Sequence, residues 1–128
     1  MPGVDGRVVD GRTAGGALYS AISNAIVGIV HEYTGRGPTR ARTSIRDDVV
    51  VVILQETLLK AERSLIEDDK ADLVVTMRRS FQQTMRVEMS NAVTDLTGRE
   101  VIAFMSDSHL EPDYSVEVFV LAPEVAPV

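Results

Sequence analysis

The residues best suited to chemistry in this sequence are the arginines and glycines between positions 35 and 42. The run reads Gly35-Arg36-Gly37-Pro38-Thr39-Arg40-Ala41-Arg42. Glycine lets the backbone approach a ligand closely, and guanidinium groups bind carboxylates and phosphates with paired hydrogen bonds. Because the run contains no carboxylate, we predict a loop that binds an anion or an acidic partner. The predicted binding residues are Gly35, Arg36, Gly37, Pro38, Thr39, Arg40 and Arg42.

This run matches neither common phosphate-binding motif. It lacks the Gly-Lys-Ser/Thr ending of a P-loop, and no strand precedes it, as a dinucleotide-binding fingerprint requires. A solvated loop is therefore the alternative, with its arginines paired to the nearby carboxylates of Glu32, Asp47 and Asp48.

A second arginine of interest, Arg78, lies within a long predicted helix. If its side chain faces the sheet, it needs a buried carboxylate or a ligand as its partner. We therefore add Arg78 to the predicted anion- or partner-binding residues. The alternative is a surface position beside Asp72 or Gln82.

Most catalytic and metal chemistry is disfavoured by the residue types. The chain has no cysteine, and its histidines, His31 and His109, stand in no metal-ligand spacing. Asp107, Ser108 and His109 supply the letters of a hydrolytic triad, but triad members converge from separate elements, so their adjacency is no evidence. We expect no catalytic residue, no metal and no cofactor.

The charge and the hydropathy restrict the partners. With 13 basic and 19 acidic residues, the net charge is −6, which argues against nucleic-acid binding. No stretch resembles a signal peptide, and none is apolar and long enough to insert in a membrane. We expect a cytoplasmic protein.

The apolar spacing predicts an α+β domain with the order α-β-α-α-β-β. Three- and four-residue spacing indicates helices, whereas β-branched runs and strict alternation indicate strands. We predict a small, mainly antiparallel sheet with helices packed on one face. The expected elements are a helix at 13–33, a strand at 48–54, a short helix to 66, a long helix at 70–97, and a strand hairpin at 99–106 and 114–121.

The domain organisation follows from the same pattern. We expect a flexible segment at 1–12, a single domain at 13–121 and a flexible tail at 122–128. A small sheet covered on one side would expose apolar faces and edges in a monomer, so we predict a homodimer that covers them.

Several of these features together resemble a bacterial family long called a domain of unknown function. It is now named for MpsC, the third component of a Na+-translocating membrane-potential-generating system. The similarity covers almost the whole predicted domain. The features that carry it are residues 24–33 leading into Gly35-Arg36-Gly37-Pro38, the run from Asp48 to Leu58 with Glu62 after it, Arg78, Thr97-Gly98, and the run 116–121.

The resemblance implies a small cytosolic protein linked by name to ion or inorganic-carbon transport. Because the chain has no apolar segment to carry sodium across a bilayer, such a role would be accessory or regulatory, with a transport-system protein as partner. Where the family resemblance leads us to expect Gly and then Thr, this sequence has Glu56 and Leu59, so we expect Thr57 to cap the short helix.

Two functions stay open from the sequence. The first is a non-enzymatic accessory module that binds an anion or a partner protein through the arginine run. The alternative is an enzyme acting on a phosphorylated or carboxylated small metabolite, with Glu62, Asp107 or His109 as acid or base.

Overall fold

The computed structural model describes residues 13–124, which form three helices and four strands. The segments 1–12 and 125–128, within the parts we expected to be flexible, lie outside the described residues. The elements in chain order are α1 (Thr13–Thr34), β1 (Arg40–Arg46), β2 (Val49–Gln55), α2 (Lys60–Glu67), α3 (Ala71–Thr97), β3 (Val101–His109) and β4 (Tyr114–Leu121). None of the helices in this part of the chain combines the length and apolarity that crossing a bilayer requires.

The four strands form one antiparallel sheet in the order β1-β2-β4-β3. The valine-rich β2 is a central strand, as its continuous apolar run predicts. Helices α1 and α3 pack against each other and against one face of the sheet. The α+β class, with helices on one face of a mainly antiparallel sheet, is confirmed.

The predicted order α-β-α-α-β-β lacks one strand, because residues 40–46 form β1 rather than part of a loop. In β1 the arginines alternate with inward-facing Ala41, Thr43 and Ile45, which gives the two-residue period of a half-buried edge strand. From the sequence alone, the arginines in this segment favour a loop. The observed order is α-β-β-α-α-β-β. A two-residue turn at Asp47 and Asp48 joins β1 to β2, with Asp47 in the left-handed region (φ 55°).

The side of the sheet that the helices cover, here called the covered face, holds the hydrophobic core. Helix α1 contributes Ile22, Ile26 and Val30, which are spaced by one helical turn. Against them pack Val50, Val52 and Leu54 of β2, Met85, Met89 and Val93 of α3, and Phe119 and Leu121 of β4. The rings of Phe104 and Phe119 meet at 5.2 Å between centroids.

The opposite side, here called the open face, is also largely apolar. The strand registers place its side chains in cross-strand rows. The middle row is Ser44, Val51, Val118 and Met105, and the flanking rows are Arg42, Ile53, Val116 and Asp107 on one side and Arg46, Val49, Val120 and Ala103 on the other. The valines and Ile53 are partly exposed, and Met105 is 53% exposed.

The ends of the helices agree with the sequence except at α2. Gly35 (φ 77°) follows α1 and Gly98 (φ 71°) caps α3 in the left-handed conformation, as expected for helix stops. The N-cap of α2, however, is Leu59 and not the predicted Thr57. The Leu59 N–H donates to Glu62 Oε1 at 2.8 Å, and the Thr57 hydroxyl donates to Asp113 instead of capping the helix.

Candidate functional site

The first part of the predicted arginine run braces the chain between β2 and α2. Arg36 Nη1 donates to the carbonyl oxygens of Glu56 at 3.0 Å and Leu58 at 2.9 Å, and the Thr39 hydroxyl donates to Glu56. Gly37 passes close to α1, where an added Cβ would meet Val27 Cγ1 at 3.3 Å. These contacts tie the loop from Gly35 to Thr39 to its own neighbours in the fold.

The second part of the run lies on the open face. Arg40 and Arg42 belong to β1, an edge strand, and their exposed side chains lie on the same face of the strand as Ser44 and Arg46. The three arginines place positive charge along the β1 edge of the apolar surface. On the opposite edge, Asp107 and His109 of β3 occupy the same two cross-strand rows as Arg42 and Arg40.

The remaining predicted site residue, Arg78, points to the covered face and is paired with a buried carboxylate. Its Nε and Nη2 donate to the two oxygens of Glu62, at 3.0 and 2.8 Å, in a bidentate ion pair. The sequence had left open a buried carboxylate, a ligand or a surface partner for Arg78. The partner is Glu62, which is buried between α2 and α3.

The rest of the Arg78 guanidinium is also engaged. Its Nη2 donates to the Thr57 carbonyl at 2.9 Å, and its Nη1 donates to the Thr57 hydroxyl at 2.9 Å. The Ser108 and Ser115 hydroxyls lie 3.4 Å from the same Nη1. All five N–H groups of the arginine therefore have acceptors, and an anion would have to displace one of them.

A second carboxylate, Asp113, completes this hydrogen-bonded cluster at the turn between β3 and β4. It accepts from the Thr57 hydroxyl at 3.1 Å, from the Leu58 N–H at 2.9 Å and from Arg63 at 3.3 Å. The connection from β2 to α2 is thus held on both sides, by Arg36 and by Asp113.

A third carboxylate near Arg78, that of Glu117, forms no ion pair with another described residue. It lies on the covered face of β4 with 4% of its surface exposed, and its Oε1 has no hydrogen-bond partner among the described residues. The hydroxyl of Ser106, its cross-strand neighbour, has none either. Burial raises the pKa of Glu117 to about 7, although the nearby Ser106 hydroxyl and the positive charge of Arg78 both lower it.

A cleft opens beside these groups, between α1, α3 and the ends of β2 and β4. Its enclosed cavity volume is about 50 Å³, and the space including the open solvent at its mouth is about 490 Å³. One part of its wall is polar, formed by Thr34, Thr57, Glu62, Arg78, Gln82, Ser108, Ser115 and Glu117. The other part is apolar, formed by Val30, Leu54, Leu59, Phe81 and Met85. A concavity that combines apolar side chains with buried polar groups is a common form of small-molecule site.

The eight predicted site residues are therefore divided among three places: the β2–α2 brace, the open face and the cleft. The three residues named for acid or base chemistry are divided as well. Asp107 and His109 lie on the open face, where His109 Nδ1 is 2.8 Å from the Pro112 carbonyl oxygen, and Glu62 is held by Arg78. Within residues 13–124 no group of three histidine or acidic side chains is placed to hold a metal ion.

Glu117 and Ser115 were missed by the sequence analysis. In β4 the alternating Val116, Val118 and Val120 dominate the pattern, yet these valines lie on the open face. The alternation of side chains along a strand could have identified them. Ser115 and Glu117 are on the same side of β4 as Phe119 and Leu121, two large apolar residues.

The comparison with known families agrees with this architecture. Residues 15–123 match the model of a family described as Na+-translocating membrane potential-generating system (MpsC). The match spans nearly the whole described part of the chain. The chain belongs to the MpsC family. The expected resemblance is thereby confirmed, and every element from α1 to β4 falls wholly or almost wholly inside the MpsC match.

A curated protein of similar length is also related to this MpsC-family chain. The chain is 27% identical over 111 residues to the uncharacterized protein YbcI of Bacillus subtilis (strain 168), covering 86% of this chain and 90% of YbcI. No solved structure matches the chain significantly.

Proposed function

We propose that this chain is a non-enzymatic accessory or regulatory module of a Na+-translocating, membrane-potential-generating system, and that it works in the cytoplasm as a homodimer. The family description supports the link to such a system. The catalytic alternative has less support, because the acid and base candidates lie on different faces of the sheet.

The observation that carries the homodimer is the composition of the open face. Its two central strands present only valine and Ile53 between the outermost rows, and monomeric proteins rarely expose a continuous apolar patch of this kind. A second copy of the chain is the occupant that the charges on the two edges favour.

Those charges also select one arrangement of the dimer. When two copies stack face to face, a two-fold axis parallel to the strands brings β1 of one copy over β3 of the other. Arg42 of each copy then faces the acidic side chain of Asp107 across the interface, because both lie in the same cross-strand row. An axis perpendicular to the strands would instead stack β1 of one copy on β1 of the other. The arginines of the two copies would then face each other, and like-charge repulsion disfavours that arrangement.

The oligomeric state and its dependence on these charges test the proposal. We expect light scattering during size-exclusion chromatography to give twice the mass of one chain. Arg42→Asp and Asp107→Arg should each give monomers by placing like charges together, and the double variant should restore the dimer. Arg79→Asp, an exposed position on α3, is the matched control and should leave the dimer intact. A wild-type chain that stays monomeric at about 100 μM would overturn the proposal.

The accessory role is tested in cells. In a strain that lacks this gene, the wild-type chain should restore the Na+-dependent membrane potential reported by a voltage-sensitive dye. Arg42→Asp should fail and the double variant Arg42→Asp/Asp107→Arg should succeed. An unchanged potential after deletion of the gene would contradict the association with the membrane system, whatever the oligomeric state.

A further inference from the structure

The cleft beside Glu117 is separate from the open face, and the dimer proposed above leaves it uncovered. Phe81, at its mouth, is 37% exposed, whereas Glu117 on its inner wall is 4% exposed. The cleft thus runs from solvent to a buried carboxyl group.

That carboxyl group is costly to the fold as it stands. Burying a polar atom without a hydrogen-bond partner destabilises a protein, and native structures keep very few such atoms. The Ser106 hydroxyl is close enough to lower the pKa of Glu117, yet neither this hydroxyl nor Glu117 Oε1 has a hydrogen-bond partner among the described residues. Glu117 also lines the cleft, so a carboxyl group with an unpaired oxygen forms part of the cleft wall.

The charges in the cleft decide what kind of group this acceptor suits. Arg78 and Glu62 neutralise each other through two hydrogen bonds, and the arginine has no donor left over. The remaining ionisable group on the lining is Glu117. The cleft consequently offers negative charge and acceptors, and it favours a ligand that brings N–H donors and positive charge.

The apolar wall adds a second requirement. Leu59, Phe81 and Met85 line the same cleft as Glu117, so a ligand bound there also contacts hydrocarbon and an aromatic ring. A short alkyl or aryl chain on the ligand would bind more tightly because its apolar surface is buried against these side chains.

We propose that this cleft is a binding site for a small organic amine, whose protonated nitrogen donates to the Glu117 carboxylate while its apolar chain packs against Leu59, Phe81 and Met85. In this site Arg78 and Glu62 position the wall of the cleft and do not bind the ligand's charge themselves.

The test uses butylammonium as the probe, added at pH 8 and constant ionic strength to the full-length wild-type chain. Backbone amide NMR spectra should show saturable shifts at Ser115, Gln82 and the residues beside Glu117. We expect Glu117→Gln to weaken the apparent affinity at least tenfold, because the amide cannot supply the charge. Phe81→Ala, an exposed substitution that leaves the core intact, should weaken it by roughly three- to tenfold through lost apolar contact.

Three matched probes separate amine binding from other effects. Butyrate has the same chain with the opposite charge, methylammonium has the charge without the chain, and NaCl supplies a cation alone. We expect no saturable shift with butyrate or NaCl and a weaker response to methylammonium. Equal responses to butylammonium and butyrate, equal responses to butylammonium and NaCl, or an unchanged affinity in both Glu117→Gln and Phe81→Ala would each overturn the proposal.

The predicted binding of butylammonium does not depend on the homodimer. The double variant Arg42→Asp/Asp107→Arg and the single variant Arg42→Asp should bind butylammonium with wild-type affinity, since both positions lie on the open face. A failure of the homodimer proposal therefore leaves this test unaffected.

Discussion

The covered and open faces of the sheet both combine apolar and polar residues, but in different places. The covered face holds the hydrophobic core, and it also buries Glu117, Ser115 and Thr43 beneath the helices. The open face has its charged side chains on the edge strands β1 and β3 and mainly valines on the two central strands. In our two proposals, the covered face supplies a ligand-binding cleft, and the open face supplies a surface for association.

The largest expected effect comes from breaking the ion pair under the covered face. Arg78→Met should lower the free energy of unfolding by about 3–5 kcal/mol, because it leaves Glu62 buried without its charge partner. Urea denaturation followed by circular dichroism measures this loss. Arg79→Met, at the exposed neighbouring position, is the control and should change stability by less than about 0.5 kcal/mol. A loss below about 1 kcal/mol for Arg78→Met would show that the pair does not hold α2 to α3.

A pair of adjacent substitutions in β4 compares the two faces directly. Phe119→Ala removes a fully buried ring and should cost about 3–5 kcal/mol at any protein concentration. Val118→Ala, one residue away on the open face, should cost about 1 kcal/mol in dilute solution. Its cost should rise with protein concentration, because the valine also supports the proposed dimer. Thermal unfolding over a hundredfold range of concentration makes the comparison, and a concentration-independent melting temperature for wild type and Val118→Ala contradicts it.

The stability should also depend on pH through Glu117. Its folded-state pKa of about 7 lies above the ordinary value of 4.5, so folding favours the protonated form. The favourable contribution is complete below pH 4.5 and is lost as the pH rises through 7. Glu117→Gln should therefore gain stability relative to wild type by about 3 kcal/mol between pH 4.5 and 8, on top of a constant offset. If the free energies of unfolding of wild type and Glu117→Gln change with pH in parallel, Glu117 is solvated.

The smallest expected effect lies in the loop before β1. Arg36→Ala should lower stability by about 1 kcal/mol, because it removes the hydrogen bonds to the Glu56 and Leu58 carbonyls. Arg40→Ala, on the exposed edge strand, should change stability by less than about 0.5 kcal/mol. Chemical denaturation of both variants measures the difference. Equal losses would show that Arg36 does not brace the β2–α2 connection.

Elements with a strong periodic pattern were predictable from the sequence. The stripe of α3 and its stop at Gly98, the central strand β2 and the final hairpin all appear where their apolar spacing places them. Strand β1 was not predictable in this way, because an edge strand is stabilised by its pairing with β2 and needs few apolar residues of its own.

The candidate site was predictable only in part. Arg78 could be singled out because a charged residue near a helical stripe requires a partner, but the identity of Glu62 as that partner depends on how α2 packs against α3. The role of Glu117 depends on which face of β4 the helices cover. Both faces of β4 carry apolar residues, so alternation alone does not decide between them.

The most direct test of the contrast between the faces is the titration of Glu117 itself. Carbon-13 NMR of the glutamate side-chain carboxyl groups, assigned by comparison with Glu117→Gln, gives its pKa in the intact chain. The account predicts a midpoint near 7 that moves downward when butylammonium is added, because a bound cation stabilises the ionised form. A midpoint near 4.5 that butylammonium does not shift would contradict both the burial of this carboxyl group and its role in binding.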